Sequence, residues 1–157
     1  MICRIARLGI LIALAGSAAI AQDDKGLAKE KILEQLQGRW ELKRVWEITS
    51  EAKVIERPVR DVERYLLIKK DLLISEGAQR EGSAMRINLD PFRSPIWLDL
   101  VAVGAPEKFI VGIMKLEKEQ LYLCLTIDPK SRPKGFDLQK EKAPARLLLL
   151  QRVKRSE

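Results

Sequence analysis

Between residues 27 and 36, apolar side chains stand at Leu27, Ile32, Leu33 and Leu36, with Lys29, Glu30, Lys31 and Glu34 between them. That spacing predicts a short amphipathic helix ending at Gly38. Beyond the glycine the hydrophobic period drops to that of a strand. Trp40, Leu42, Trp46 and Ile48 fall on one side, and Glu41, Lys43 and Glu47 on the other. Arg44 and Val45 interrupt the alternation. A β-bulge at this point would shift the register by one residue and let Arg44 reach solvent.

Further strands are predicted at 54–57, 65–69, 72–75, 84–89, 96–103, 109–116, 120–127 and 146–153. Turn formers separate them, among them Gly77, Gly82, Asp90-Pro91, Gly104-Ala105-Pro106, Asp128-Pro129 and Arg132-Pro133-Lys134-Gly135. Several faces are readable. Met85, Ile87 and Leu89 oppose Arg86 and Asn88; Ile96, Leu98 and Leu100 oppose Trp97 and Asp99; Leu121, Leu123 and Leu125 oppose Tyr122, Cys124 and Thr126. The run Leu147 to Leu150 is apolar on both faces, which predicts a central position or one beneath the helix. Residues 128–144 lack periodicity and predict a long loop. Short strands without intervening helices exclude βαβ units and point to an all-β, antiparallel sandwich or barrel. No internal repeat is present.

The residues ahead of the helix change the expected compartment. Arg4 and Arg7 precede an apolar run from Leu8 to Leu14, and Ala19-Ile20-Ala21 has the small-x-small form of a cleavage site. The expected organisation is a signal peptide over 1–21, an N-terminal segment with a short helix over 22–37, and one β-barrel domain over 38–157. The apolar run is too short to span a bilayer, which takes about 20 apolar residues. The mature chain is therefore expected to be exported, periplasmic or extracellular, with no membrane span after signal cleavage. Cleavage removes Cys3 and leaves Cys124 as the only thiol, so no internal disulfide can form.

The formal charge of +7 loses two units with Arg4 and Arg7, and acidic and basic residues are interleaved along what remains. No basic stripe with interspersed aromatics appears, so nucleic acid is not an expected partner. A basic cluster of Lys142, Arg146, Arg152, Lys154 and Arg155 near the end could favour an anionic cell surface.

Several segments occur together in order: Leu36-Gln37-Gly38-Arg39-Trp40, Gly112-Ile113-Met114-Lys115-Leu116 leading into Leu121-Tyr122-Leu123-Cys124-Leu125, Arg132-Pro133 with Phe136, and Leu148-Leu149-Leu150-Gln151-Arg152. Over residues 34–154 the chain resembles an uncharacterised planctomycetal secreted-domain family. That family has a Leu-Gln-Gly-x-Trp opening, an Arg-Pro-x-x-Phe loop and a C-terminal arginine. Met114 stands where the family has tyrosine, and Glu117-Lys118-Glu119 replaces its Asp-Gly turn. The resemblance implies export and an undefined function. Gly38-x-Trp40 with the late Arg152 also resembles lipocalin-like barrels, which implies an up-and-down barrel of about eight strands. There Trp40 and Arg152 would be structural, the guanidinium stacking on the indole at a closed end.

The chain contains no histidine. The commonest general base and metal ligand, and every Ser-His or Cys-His pair, are therefore missing. No zinc-type cluster or calcium-loop spacing occurs, and no cofactor is expected. Asp23-Asp24, Asp61 with Glu63, and Glu117 with Glu119 sit among lysines and arginines as solvated charges. Asp99 beside Trp97 reads as an outward carboxylate paired with a neighbouring lysine. Cys124 reads as a small packed hydrophobe, with an intermolecular disulfide as the other option.

No catalytic constellation is recognisable, so the expected function is a non-catalytic binding module holding a small apolar or amphipathic ligand inside the barrel. Arg44, Trp46 and Trp97 are the candidate ligand-binding residues, with Arg44 as an anion handle if it points inward. The alternative is a structural or interaction protein of the cell envelope, with a filled core and a protein partner.

Overall fold

The computed structural model describes residues 17–49, 51–77, 84–141 and 143–154, with side chains from residue 26 onward. The strands are β1 (Gly38–Ile48), β2 (Val54–Arg57), β3 (Tyr65–Lys69), β4 (Leu72–Ser75), β5 (Ala84–Asp90), β6 (Ile96–Ala102), β7 (Phe109–Glu117), β8 (Gln120–Thr126) and β9 (Arg146–Arg152). From β2 onward their bounds agree with the periodicity to within one residue. The flanking turn formers punctuate the chain sharply enough to leave little freedom.

Neighbours pair antiparallel in the order β1-β3-β4-β5-β6-β7-β8-β9, and β9 returns to β1, closing an eight-stranded up-and-down barrel. Closure follows from the length of β1. One of its edges pairs with β9 over Trp40–Glu47; the other pairs with β3 through Gly38–Glu41 and then with β2 through Val45–Ile48. β2 is thus a ninth strand beside the upper half of β1. Leu42 N–H bridges the gap between the two partners by donating to the Arg64 carbonyl at 2.8 Å.

The interior is a layered apolar core in which Leu42 faces Leu150, Val45 faces Leu148, Ile87 faces Leu100 and Leu89 faces Leu98. Gly112 lies opposite Leu125. A Cβ there would stand 2.4 Å from the Cys124 carbonyl oxygen and 2.7 Å from the Leu125 side chain, so no other residue fits this strand contact.

The expected bulge forms between Leu42 and Arg44. Its effect is to turn the later residues over: Val45 takes the inward phase, and Trp46 and Ile48 pass to the outer face. A one-residue slip exchanges the two faces of a strand, and here it does so within one strand.

A second apolar cluster lies outside the barrel. The segment after β8, including a 3-10 turn at Leu138–Lys140, folds over the outer wall. It buries Ile113, Cys124, Leu138 and Ala145, with Trp46, Ile48, Val54, Phe136 and Leu147 packed around them. The central position read for Leu147 to Leu150 holds, since β9 pairs with both β8 and β1. Leu148 and Leu150 face the interior and Leu147 faces the second cluster, so the cover is this loop and not the helix.

Helix α1 (Ser17–Leu36) closes one end of the barrel through Ile32, Leu33 and the buried Leu36. It begins well before residue 27 and crosses the expected 21/22 boundary, since Ser17 to Ala21 carries three alanines and no breaker. Leu27 is 65% exposed, so it lies outside the apolar stripe that Ile32, Leu33 and Leu36 form. Gly38, with φ +116°, supplies the left-handed backbone that turns α1 into β1. The expected basic n-region and apolar core at 1–16, and Lys142 and Arg155, lie outside the described residues.

Candidate binding cavity

At the end opposite α1, the described residues leave a cavity of about 470 Å³. Its walls are the inward residues of successive strands, including Leu42, Leu66, Leu73, Met85, Leu100 and Leu148. A void of this size exceeds the gaps of ordinary close packing and falls in the range of small-molecule sites. Met85 and the leucines present flexible apolar surface with little directional demand on an occupant.

The mouth carries the polar groups. Glu47 Oε2 stands 3.2 Å from Arg146 Nη2 and 3.6 Å from Arg57 Nε. Arg57 Nη1 donates to Glu63 Oε2 at 3.0 Å and to the Pro58 carbonyl at 3.1 Å, and Arg60 donates to the other oxygen of Glu63. The hydrogen bond from Arg60, supported by the one from Arg57, holds the Glu63 carboxyl down at about 2 against the opposing effect of burial. Arg57 Nε is buried and has no hydrogen-bond partner among the described residues. An unsatisfied buried donor of this kind costs about 1–3 kcal/mol. Ser75, also in the lining, donates its hydroxyl to the Val62 carbonyl, and Thr126 accepts from the Asp128 N–H.

The sequence candidates lie elsewhere. Arg44 and Trp46 are on the outer wall, because the bulge moves them there. Arg44 forms two hydrogen bonds of 2.8 Å to Glu56 and lies 4.8 Å over the Trp46 ring, an arrangement that engages its charge. Trp97 also faces outward, between the guanidiniums of Arg93 at 4.5 Å and Arg132 at 4.6 Å. Arg44 reaches solvent as the bulge predicts, so its conditional role as an inward anion handle falls away, and neither Trp46 nor Trp97 lines the cavity. Trp40 sits at the closed end, fully buried, with Arg152 over its ring at 4.2 Å.

Asp99 faces outward as read, but its partner is Arg132, at 2.6 Å, and not a lysine. Arg132 Nη1 also donates to the main-chain carbonyls of Gly112 at 2.7 Å and Leu98 at 3.1 Å, pinning the outer loop to β6 and β7. Cys124 is fully buried in the second cluster, and burial pushes its thiol up to about 12. Among the described residues, no three His, Cys, Asp or Glu side chains come together as a metal-binding group. No helix among them is long and apolar enough to cross a membrane.

Periodicity did not find Arg57 or Glu63. β2 has only four residues, and Glu63 belongs to a 3-10 turn, so neither segment has a readable face. Glu47 had a signal: once the bulge is placed, it falls on the inward phase of β1. No protein-family model, curated protein or solved structure matches the chain.

Proposed function

We propose that this protein is an exported, non-catalytic binding module that holds a small apolar or amphipathic molecule in its barrel. The observation that carries the reading is the cavity of about 470 Å³ among the described residues, walled by leucines and Met85 with charged residues at its mouth. An apolar cavity that stays empty forgoes dispersion contacts, which an apolar occupant would restore. Export rests on the basic, apolar and small-residue pattern of residues 1–21. The family resemblance over 34–154 agrees with it.

The test is native mass spectrometry of residues 22–157 purified from the host envelope fraction, combined with titration by the apolar dye Nile red. An added mass lost on denaturation and saturable dye binding are expected. Leu73→Trp, which fills the cavity, should abolish the dye binding. A clean protein mass with no dye binding would overturn the reading in favour of an envelope interaction protein. One feature favours that second reading: among the described residues β2 pairs only with β1, and its Ile55 is 44% exposed.

A further inference from the structure

We infer that the protein docks mouth-first on a lipid bilayer, through a ring of apolar side chains at the rim of the cavity. Docking of this kind needs the rim alone and does not require that the cavity hold a ligand.

Among the described residues eight large hydrophobic side chains are exposed, and five of them, Ile55, Val62, Val103, Phe109 and Ile127, stand at the end of the barrel opposite α1. The pairings place them there. Ile55 is opposite Glu47, and the Val62 carbonyl accepts from the Ser75 hydroxyl; Glu47 and Ser75 both line the cavity. Val103 follows β6 and donates its N–H to the Ala84 carbonyl at the start of β5, Phe109 opens β7, and Ile127, 80% exposed, follows β8 and is itself in the lining. The other three lie apart: Leu27 on α1, Phe92 in the turn between β5 and β6 at the α1 end, and Trp97 between two guanidiniums on the outer wall. Single exposed hydrophobics are ordinary, whereas a collection of them around one mouth marks an interaction site.

The kind of partner follows from how the ring is built. Its side chains come from separate strand ends and turns, spread around a rim. A fluid apolar phase accommodates that arrangement, whereas a folded partner would need a matching shape at each point. The charged residues of the lining, Glu47, Arg57, Glu63 and Arg146, balance and are ion-paired, so they offer no net field to an oppositely charged protein. Arg146 and Arg152 stand at opposite ends of β9, so the basic residues near the end of the chain do not combine into one patch at the mouth. Attraction at this end is therefore apolar, and arginine stems can lie along an apolar phase while their heads stay among polar groups. The rim also runs directly into the leucine and Met85 walls of the cavity, which on a seated protein would face the acyl chains.

The experiment is flotation of residues 22–157, which lack the apolar 8–14 run, with zwitterionic phosphatidylcholine vesicles. The protein should rise with the vesicles and stay with them in high salt, since matched charges leave little for salt to screen. Ile127→Ser should weaken the binding by about tenfold or more, the range for one large apolar side chain withdrawn from water. Phe109→Ser should weaken it several-fold. Phe109 is outside the cavity lining, so its substitution should leave Nile red binding, measured without vesicles, as in wild type, and this separates the rim from the cavity. Phe92→Ser removes an exposed ring from the opposite end and should leave flotation unchanged. Failure to float, release by salt, or an equal loss in Phe92→Ser would overturn the docking and leave the cavity reading to its own dye titration. A dimer in sedimentation that Ile127→Ser dissolves, in place of flotation, would overturn it in favour of a second copy of the chain.

Discussion

Arg152 lies with its guanidinium 4.2 Å over the ring of Trp40 while donating from Nη1 to the Gln37 carbonyl at 2.6 Å and from Nη2 to that of Gln35. Trp40 Nε1 donates to the Leu36 carbonyl at 2.9 Å. These two residues therefore satisfy the terminal carbonyls of α1, which a helix leaves unpaired, and fasten the helix to the barrel. Arg152→Met should cost about 2 kcal/mol or more, combining the lost cation–π contact with the lost hydrogen bonds. Arg152→Lys should recover only part, since an ammonium cannot stack and fork together. Urea unfolding midpoints measure both; unchanged midpoints would show that the helix is held by packing alone.

A comparable anchor holds the outer loop. The Arg132 side chain is only 18% exposed and reaches two main-chain carbonyls and Asp99. Arg132→Ala should destabilise by about 2–4 kcal/mol, because it strands buried acceptors. Asp99→Asn should cost less than about 1 kcal/mol, because Asp99 is 42% exposed and water can replace the pair. Arg132→Ala should also shift the emission of Trp97, whose ring loses one of its two covering guanidiniums. Equal effects of the two substitutions would assign the loop's attachment to the ion pair instead of the carbonyl contacts.

Most of the barrel was legible because its strands are short and punctuated by Pro, Gly and Asp, and because alternation in β5 and β6 matches a wall with one face inside. Two long-range facts were not legible. The bulge after Leu42 was visible as a broken pattern, yet which later side chains turned outward depended on its exact register against β9. The outer loop supplies a second core that no local pattern announces; Cys124 packs into it, fully buried, as its reading as a small packed hydrophobe expects. The cavity mouth was missed for a related reason. Arg57 and Glu63 come together through β2 and a 3-10 turn too short to show a period, and their meeting is decided by where β1 changes partner.

Cys124 supplies a test of that second core. With its thiol raised from an ordinary 9.0 to about 12 by burial, the folded protein keeps the proton while the unfolded chain releases it. Stability associated with this group is complete below pH 9 and falls as pH rises toward 12, because the unfolded state binds fewer protons in that window. Cys124→Ala should remove that component of the alkaline loss, at the cost of a small void. In native protein the thiol should resist Ellman's reagent and react fully only on unfolding. Rapid native labelling, or a dimer sensitive to reductant, would mean that the outer loop opens.

The mouth is expected to respond at the other end of the pH scale. Glu63, held at about 2 chiefly by the hydrogen bond from Arg60 and then by that from Arg57, lies well below its ordinary 4.5. Between those values the unfolded state binds the proton and the folded state does not, so stability rises with pH across the interval. The contribution is fully present above pH 4.5 and is lost as pH falls to about 2. Glu63→Gln should therefore be less stable than wild type near neutrality, with the gap closing as the pH approaches 2. Urea midpoints of the two proteins, followed from neutral pH downward, give the comparison directly. A gap independent of pH would mean that Glu63 acts through packing alone. A gap that closes would place its charge, and with it the anchoring of Arg57, among the forces that shape the mouth.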